Sequence, residues 1–170
     1  EKTAPVFVIA TANNIRTSPP EVLRKGRFDE IFFVDLPTES EREKIFEVHL
    51  KKRVAASEVG QDIVIDNALL SRLSALSDGF VGAEIEQAVI TALYEAFFNQ
   101  RSLQMEDLEF AIKGTVPLSV TQKEEIFALR TWANVRAVSA TPRGDLASYK
   151  AEEPGETDVN TQRGGRMLDF

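Results

Sequence analysis

Asn13 follows an uninterrupted apolar run, residues 6–10 with the sequence VFVIA. This run is rich in β-branched residues, which predicts a strand covered on both faces in a parallel sheet. Polar groups at the carboxyl end of such a strand lie where open α/β sheets bind their ligands. Asn13 is therefore a candidate site residue, although a side-chain hydrogen bond within a turn is an alternative use of an asparagine there.

Two arginines, Arg24 and Arg27, follow in the sequence LRKGRFDE. A guanidinium is permanently charged, and its planar fork can bind oxyanions. The alternative is that both are solvated cations at the end of a short helix. That helix would begin near Ser18 and end at Gly26, where cations complement the helix dipole.

His49 is the only histidine, and the sequence contains no cysteine. A zinc site needs several nitrogen or sulfur ligands, so none is predicted. The default role of a single histidine is a partly buried imidazole with satisfied hydrogen bonds. The absence of cysteine excludes disulfides and agrees with a cytoplasmic or chloroplast-stromal location.

The elements that position these residues change in character at Pro37. Before it, residues 31–34, IFFV, predict a second buried strand. After it, helices are predicted at 39–53 behind a Thr38/Glu41 capping box, from Asp66 to Gly79, at 83–99 and at 105–113. Their predicted apolar positions are Ile45, Val48, Leu69, Leu70, Leu73, Leu76, Ile85, Ala88, Val89, Ala92, Leu93 and Ala96. A second capping box, Thr121/Glu124, predicts one more helix after Pro117.

Five stretches in order, ATAN, LRKGRFDE, VDLP, SEREKIFEVH and DGFVGAEIEQAV, resemble the second half of an AAA-type ATPase domain. The ATAN variant and the terminal RGGRMLDF are most similar to an uncharacterised AAA family of cyanobacteria and chloroplasts. The resemblance implies an α/β fold followed by an all-α part. Residues 1–37 would end a parallel-sheet P-loop NTPase domain, and 38–138 would form the helical lid subdomain with a C-terminal helix. Residues 139–170 have the composition of a disordered tail.

Site residues are carried over from the family by position. Asn13 would be the sensor 1 asparagine that contacts the γ-phosphate or orients the attacking water. Arg24 and Arg27 would be arginine fingers that act in trans on a neighbouring subunit's ATP. Ile45 and His49 would line the adenine and ribose, and the backbone of Gly82 and Ala83 would close over the base.

Two elements of an ATPase are missing from this sequence. It contains no Gly-Lys dipeptide, which a phosphate-binding loop requires, and no apolar run that ends in Asp-Glu. We therefore expect the Mg²⁺ ligands and the phosphate loop to lie upstream of Glu1, in a longer protein. This segment alone would then be inactive toward ATP.

Composition bears on partners. The net charge of −7 gives no bulk attraction to nucleic acid or anionic lipid, and no stretch approaches the length of a membrane span. The resemblance implies ATP, a homo-oligomeric ring, usually a hexamer, and a protein client. Two alternatives stay open: a non-catalytic interaction module built from the lid, and a component of a nucleic-acid machine. The acidic balance weighs against the second.

Overall fold

The computed structural model describes residues 6–13, 15, 28–60 and 62–141. The chain divides into two compact units, Glu1–Ile31 and Phe32–Phe170. In the first unit, residues 6–10 form no strand, and Phe7 is 90% exposed. This differs from the predicted strand with two covered faces. A parallel strand is stable only between neighbours, and the described residues contribute no neighbour to this segment.

Four helices make up most of the second unit: α1 (Glu39–Val54), α2 (Asn67–Leu76), α3 (Gly82–Phe98) and α4 (Met105–Lys113). Their bounds agree with the predicted helices to within a few residues. The capping box before α1 is present, because Thr38 Oγ1 accepts from the Glu41 amide at 3.3 Å and Glu41 Oε2 accepts from the Thr38 amide at 2.8 Å. Asp66 caps α2 by accepting from the Leu69 amide at 2.8 Å.

The helices enclose one apolar core. Its largest fully buried side chains are Phe46, Leu50, Leu73, Ile85, Val89 and Leu108. Two predicted core positions differ, since Leu76 is 39% exposed and Val48 is 61% exposed. The buried stripe of α1 runs through Arg42, Phe46 and Leu50, and Val48 lies on the opposite side of the helix from Phe46 because each residue turns the helix by about 100°.

The predicted second capping box is wrong. Leu118–Thr121 already forms a short helix, α5, directly after Pro117, and α6 spans Lys123–Arg136 with Gln122 as its N-cap. The Thr121 hydroxyl donates back to the Leu118 carbonyl at 3.4 Å. Because Thr121 is the last helical residue of α5, it cannot take the extended conformation that an N-cap residue needs.

A two-stranded parallel sheet joins the start and the end of this unit. β1 (Phe32–Phe33) pairs with β2 (Val138–Ser139), and the Ala140 amide donates to the Phe33 carbonyl at 2.9 Å. Arg130 of α6 adds an ion pair to Asp35, with Nε 2.9 Å from Oδ2. The sequence predicted a buried strand over residues 31–34, whereas β1 spans only Phe32–Phe33 and Phe32 is 63% exposed. Ser139, which the sequence placed in the disordered tail, lies in β2. Residues 142–170 lie outside the described residues, and their predicted disorder stays a prediction.

We predict that Gly79→Ala destabilises the fold. Gly79 has a φ of +72°, and a Cβ at this position would lie 2.1 Å from Ser119 Oγ and 2.9 Å from Ser119 Cβ. Backbone strain and the clash together predict a loss of about 1 to 2 kcal/mol in the free energy of unfolding. Chemical denaturation measures it. Gly82→Ala is the matched control, because the nearest atom to a Cβ there is 4.0 Å away. Equal stability of the two variants would contradict the prediction.

Candidate functional site

The middle of α1 lies beside the start of α3, where three predicted nucleotide-binding residues are found within about one helical turn of one another. Ile45 lies on α1, and its Cδ1 is 4.0 Å from where a Cβ on Gly82 would stand. His49 follows one turn later and faces Glu86, which is one turn beyond Gly82. The second contact lies four residues after the first on each helix, so α1 and α3 run side by side in the same direction. Ala83 is exposed beside Gly82 at the start of α3.

The turn that carries Gly82 is held by one carboxylate. Glu84 Oε2 accepts from the Val81 amide at 2.8 Å, and this bond caps the first turn of α3. Glu84 Oε1 accepts from the Leu118 amide at 2.7 Å. The second bond ties the start of α3 to the start of α5. The backbone of this turn is thus fixed from two sides.

Sequence reasoning missed an ion pair next to His49. Arg53 Nη2 lies 2.5 Å from Glu86 Oε1, and His49 Nδ1 lies 3.7 Å from the same oxygen. The hydrogen bond from Arg53 lowers the pKa of Glu86 below its ordinary value, and the nearby His49 and Lys52 act in the same direction against partial desolvation. Spacing gave a signal: His49 and Arg53 are four residues apart, as are Gly82 and Glu86, so each pair shares a helix face.

Arg42, in the motif that contains Ile45 and His49, has a structural position. It is buried, donates from Nε to the Ser74 carbonyl at 3.2 Å and from Nη1 to the Pro37 carbonyl at 3.0 Å. Its Nη2 also lies 3.3 Å from an Asp78 carboxylate oxygen. Arg42 therefore joins the entry to α1 with the end of α2.

The three predicted catalytic residues belong to the first unit. Asn13 is exposed. Arg24 and Arg27 lie outside the described residues. Their roles as sensor 1 and arginine fingers stay predictions.

The described part of the chain has neither a cluster of metal ligands nor a membrane-spanning helix. It contains no group of three or more His, Asp or Glu side chains able to hold a metal ion. Within residues 6–13, 15, 28–60 and 62–141, no helix is long and apolar enough to cross a membrane.

An apolar groove continues from Arg53 along the C-terminal parts of α1 and α3. Its lining includes Arg53, Val59, Ile90, Tyr94 and Phe97. Tyr94 and Phe97 are well exposed, as is the adjacent Phe98. These aromatic side chains form the largest exposed apolar surface on α3.

Comparison with known proteins identifies relatives of this chain. It is 51% identical over 133 residues to an uncharacterised AAA domain-containing protein, ycf46, of Pyropia yezoensis. The aligned residues make up 78% of this chain and 26% of the relative. A protein of the same name from Guillardia theta is 48% identical over 79% of the chain. A proteasome-activating nucleotidase of Saccharolobus islandicus is 41% identical over 63% of the chain and 25% of the relative. No protein-family model matches the sequence.

The chain thus spans about a quarter of the length of the curated relatives it matches. The 133 residues aligned with the Pyropia yezoensis protein at 51% identity are enough to include most of the described helices. The resemblance deduced from the sequence motifs is confirmed by these relatives.

Proposed function

We propose that this chain, a segment related to the AAA-type ATPases, forms part of an ATP-hydrolysing machine. In this proposal, residues 38–138 are the lid subdomain, and residues 1–37 complete the α/β domain that holds the phosphates. The longer protein binds and hydrolyses ATP and uses the reaction to remodel a protein client. The name of the Saccharolobus relative, a proteasome-activating nucleotidase, supports a protein rather than a nucleic acid as client.

The observation that carries the proposal is the close approach of Ile45 on α1 to Gly82 at the start of α3, with His49 and Glu86 facing each other one turn further along the two helices. Ile45 offers an apolar side chain, half-buried against the core. Gly82 lacks a side chain where a ligand would approach the backbone, and close approach is a common reason for glycine. His49 supplies a polar ring one turn beyond Ile45 on α1, next to Glu86. An apolar wall, an open backbone and one polar group suit a nucleoside.

Three other residues would act on the phosphates. Asn13 would hydrogen-bond the γ-phosphate or orient the attacking water. Arg24 and Arg27 would place their guanidinium groups on the γ-phosphate of a neighbouring subunit, where arginine fingers of related NTPases contribute about 10³ to 10⁵ in rate. Mg²⁺ neutralises charge in such reactions, and the described residues do not suit it, so its ligands are expected elsewhere in the longer protein.

The proposed action of Arg24 and Arg27 in trans requires that neighbouring subunits assemble. A finger is productive only when the next subunit's nucleotide lies against it, so we propose a homo-oligomer, with a hexamer as the usual size in the family. Movement of the lid as the nucleotide changes would transmit force to the client. We place this activity in the cytoplasm or the chloroplast stroma, on the basis of the family resemblance and the absence of cysteine from the sequence.

Calorimetric titration with Mg-ATP tests the proposal in two proteins. The isolated 170-residue chain should show no binding at micromolar concentration, because a phosphate loop normally supplies the dominant contacts. The longer protein that carries this segment should bind ATP and hydrolyse it. Micromolar binding by the isolated chain would contradict the proposal that the main phosphate contacts lie outside these 170 residues. A longer protein that neither binds nor hydrolyses ATP would contradict the proposed ATPase function.

A non-catalytic interaction module is the second candidate. The exposed aromatic side chains of Tyr94, Phe97 and Phe98 favour it, because clustered apolar surface marks sites of contact with other proteins. The upstream sequence separates the two candidates. An intact GxxxxGK[ST] loop and an Asp-Glu pair favour the ATPase, and degenerate forms favour the module.

A further inference from the structure

Glu86 is placed to control the histidine of the proposed nucleotide site. It projects from α3, one turn after Gly82, toward His49 and Arg53 on α1. Arg53 Nη2 holds Glu86 Oε1 at 2.5 Å, so the carboxylate is anchored from one side. The His49 side chain is 20% exposed, and its Nδ1 lies 3.7 Å from the same oxygen.

His49 Nδ1 is buried and has no hydrogen-bond partner among the described residues. Its nearest acceptor is Glu86 Oε1, at 3.7 Å, which is just beyond hydrogen-bonding distance. A buried polar atom left without a partner costs free energy. A side-chain movement of less than about 1 Å would bring the two atoms within hydrogen-bonding distance and satisfy Nδ1.

A carboxylate can only accept a hydrogen bond, so Nδ1 must carry the proton that it donates. The lowered pKa of Glu86, caused first by the Arg53 hydrogen bond, keeps this group ionised at neutral pH. In a neutral imidazole with a proton on Nδ1, the other nitrogen, Nε2, is a hydrogen-bond acceptor. Donors on a nucleoside include the ribose hydroxyls and the exocyclic amino group of adenine.

We propose that Glu86, anchored by Arg53, is a positioning residue that fixes the Nδ1–H tautomer of His49 and so makes Nε2 an acceptor for a hydroxyl or amino group of the nucleoside. The inference deepens the proposed function and rests on it for the identity of the ligand. The tautomer itself depends only on residues of this chain. Its test therefore needs no nucleotide.

The first arm of the test is NMR of the ring nitrogens in the full 170-residue chain. The chain has one histidine, so its signals need no further assignment. We expect the Nδ1–H tautomer in the unmodified chain at a pH where the ring is neutral. Glu86→Ala should move the population toward the Nε2–H tautomer, and Glu86→Gln, which keeps an oxygen acceptor, should retain most of the original signal.

Glu95→Ala is the matched control for this arm. Glu95 lies on the same helix, and its carboxylate bonds Asn99 rather than His49, at 2.9 Å from Asn99 Nδ2. The control should leave the histidine signals unchanged. An Nε2–H ring in the unmodified chain would overturn the proposal, as would a ring that does not respond to Glu86→Ala. If Glu86→Ala fails to fold, Glu86→Met, which also removes the acceptor but keeps a side chain of similar length, supplies the same test.

The second arm measures nucleotide affinity in the longer protein. Glu86→Ala should weaken binding about three- to tenfold, the loss that one neutral hydrogen bond predicts. Because Glu86 acts through His49, the double variant with His49→Ala should bind no more weakly than His49→Ala alone. Additive losses would overturn the positioning role. A longer protein that binds no nucleotide at all would overturn the proposed function, while the tautomer measurement would still decide the role of Glu86.

Discussion

Arg27→Ala in the longer protein is expected to reduce ATP hydrolysis by about 10³-fold or more while leaving nucleotide affinity within a few fold. The reason is that an arginine finger stabilises charge in the transition state of a neighbouring subunit and contributes little to its own ground state. Steady-state hydrolysis and equilibrium binding measure the two quantities. Arg24→Ala should behave similarly, and lysine at either position should rescue poorly because an ammonium cannot reproduce the planar fork.

Mixing of subunits decides whether Arg27 acts in trans. One subunit would lack Arg27 but keep a working phosphate loop, and the other would keep Arg27 with a disabled loop. Each is inactive by itself, and mixed rings should recover part of the activity at interfaces that join the two intact halves. If mixing recovered nothing, Arg27 would act within its own subunit or on stability, and the finger assignment would be withdrawn.

Asp107→Asn is expected to lower the free energy of unfolding by about 2 to 4 kcal/mol. Asp107 is only 3% exposed, and both its oxygens accept from Arg101, at 2.6 Å each. Oδ2 also accepts from the Gln104 amide at 2.9 Å, which caps α4. Urea denaturation measures the loss. Glu106→Gln is the matched control, since that neighbour in the first turn of α4 is exposed and should change stability by less than about 0.5 kcal/mol.

The contribution of Asp107 to the free energy of unfolding should also decrease as the pH falls. The Arg101 hydrogen bonds hold the pKa of Asp107 below its ordinary range, with burial acting in the opposite direction. A carboxyl with a lowered folded-state pKa stabilises the fold fully above its unfolded-state pKa of about 4, and this stabilisation is lost as the pH falls toward the folded-state value. The stability gap between the unmodified chain and Asp107→Asn should therefore narrow below about pH 4. A gap that stays constant between neutral and acid pH would contradict this account.

Much of the helical architecture could be predicted from the sequence because its determinants are local. The Thr38/Glu41 capping box, the Asp66 cap and the apolar spacing along α3 all lie within a few residues of the structure they specify. The failed capping box shows the limit of this approach. Thr121 and Glu124 have the right spacing, yet the preceding Pro117 starts a helical turn earlier and uses Thr121 within it.

Interactions between distant parts of the chain could not be predicted in the same way. Nothing near Ser139 indicates that it pairs with Phe33, because a two-residue strand carries too little pattern. The contacts of Arg42 with Ser74 and of Arg53 with Glu86 likewise join residues more than thirty positions apart. In the candidate site, local motifs identified Ile45, His49 and Gly82, and only the packing of α1 on α3 brought Glu86 to them.

The pairing of β1 with β2 has a consequence for how the protein is made. Phe32 must wait for Val138, more than a hundred residues later, before its strand can form. Helices α1 to α4 lie between them and pack on one another, so they can fold while the ribosome is still extending the chain. The Asp35–Arg130 ion pair also forms only once α6 has emerged. A nascent chain that ends before residue 139 would therefore carry Phe32 and Phe33 without their partner strand, and the Phe33 carbonyl would lack the Ala140 amide from which it accepts.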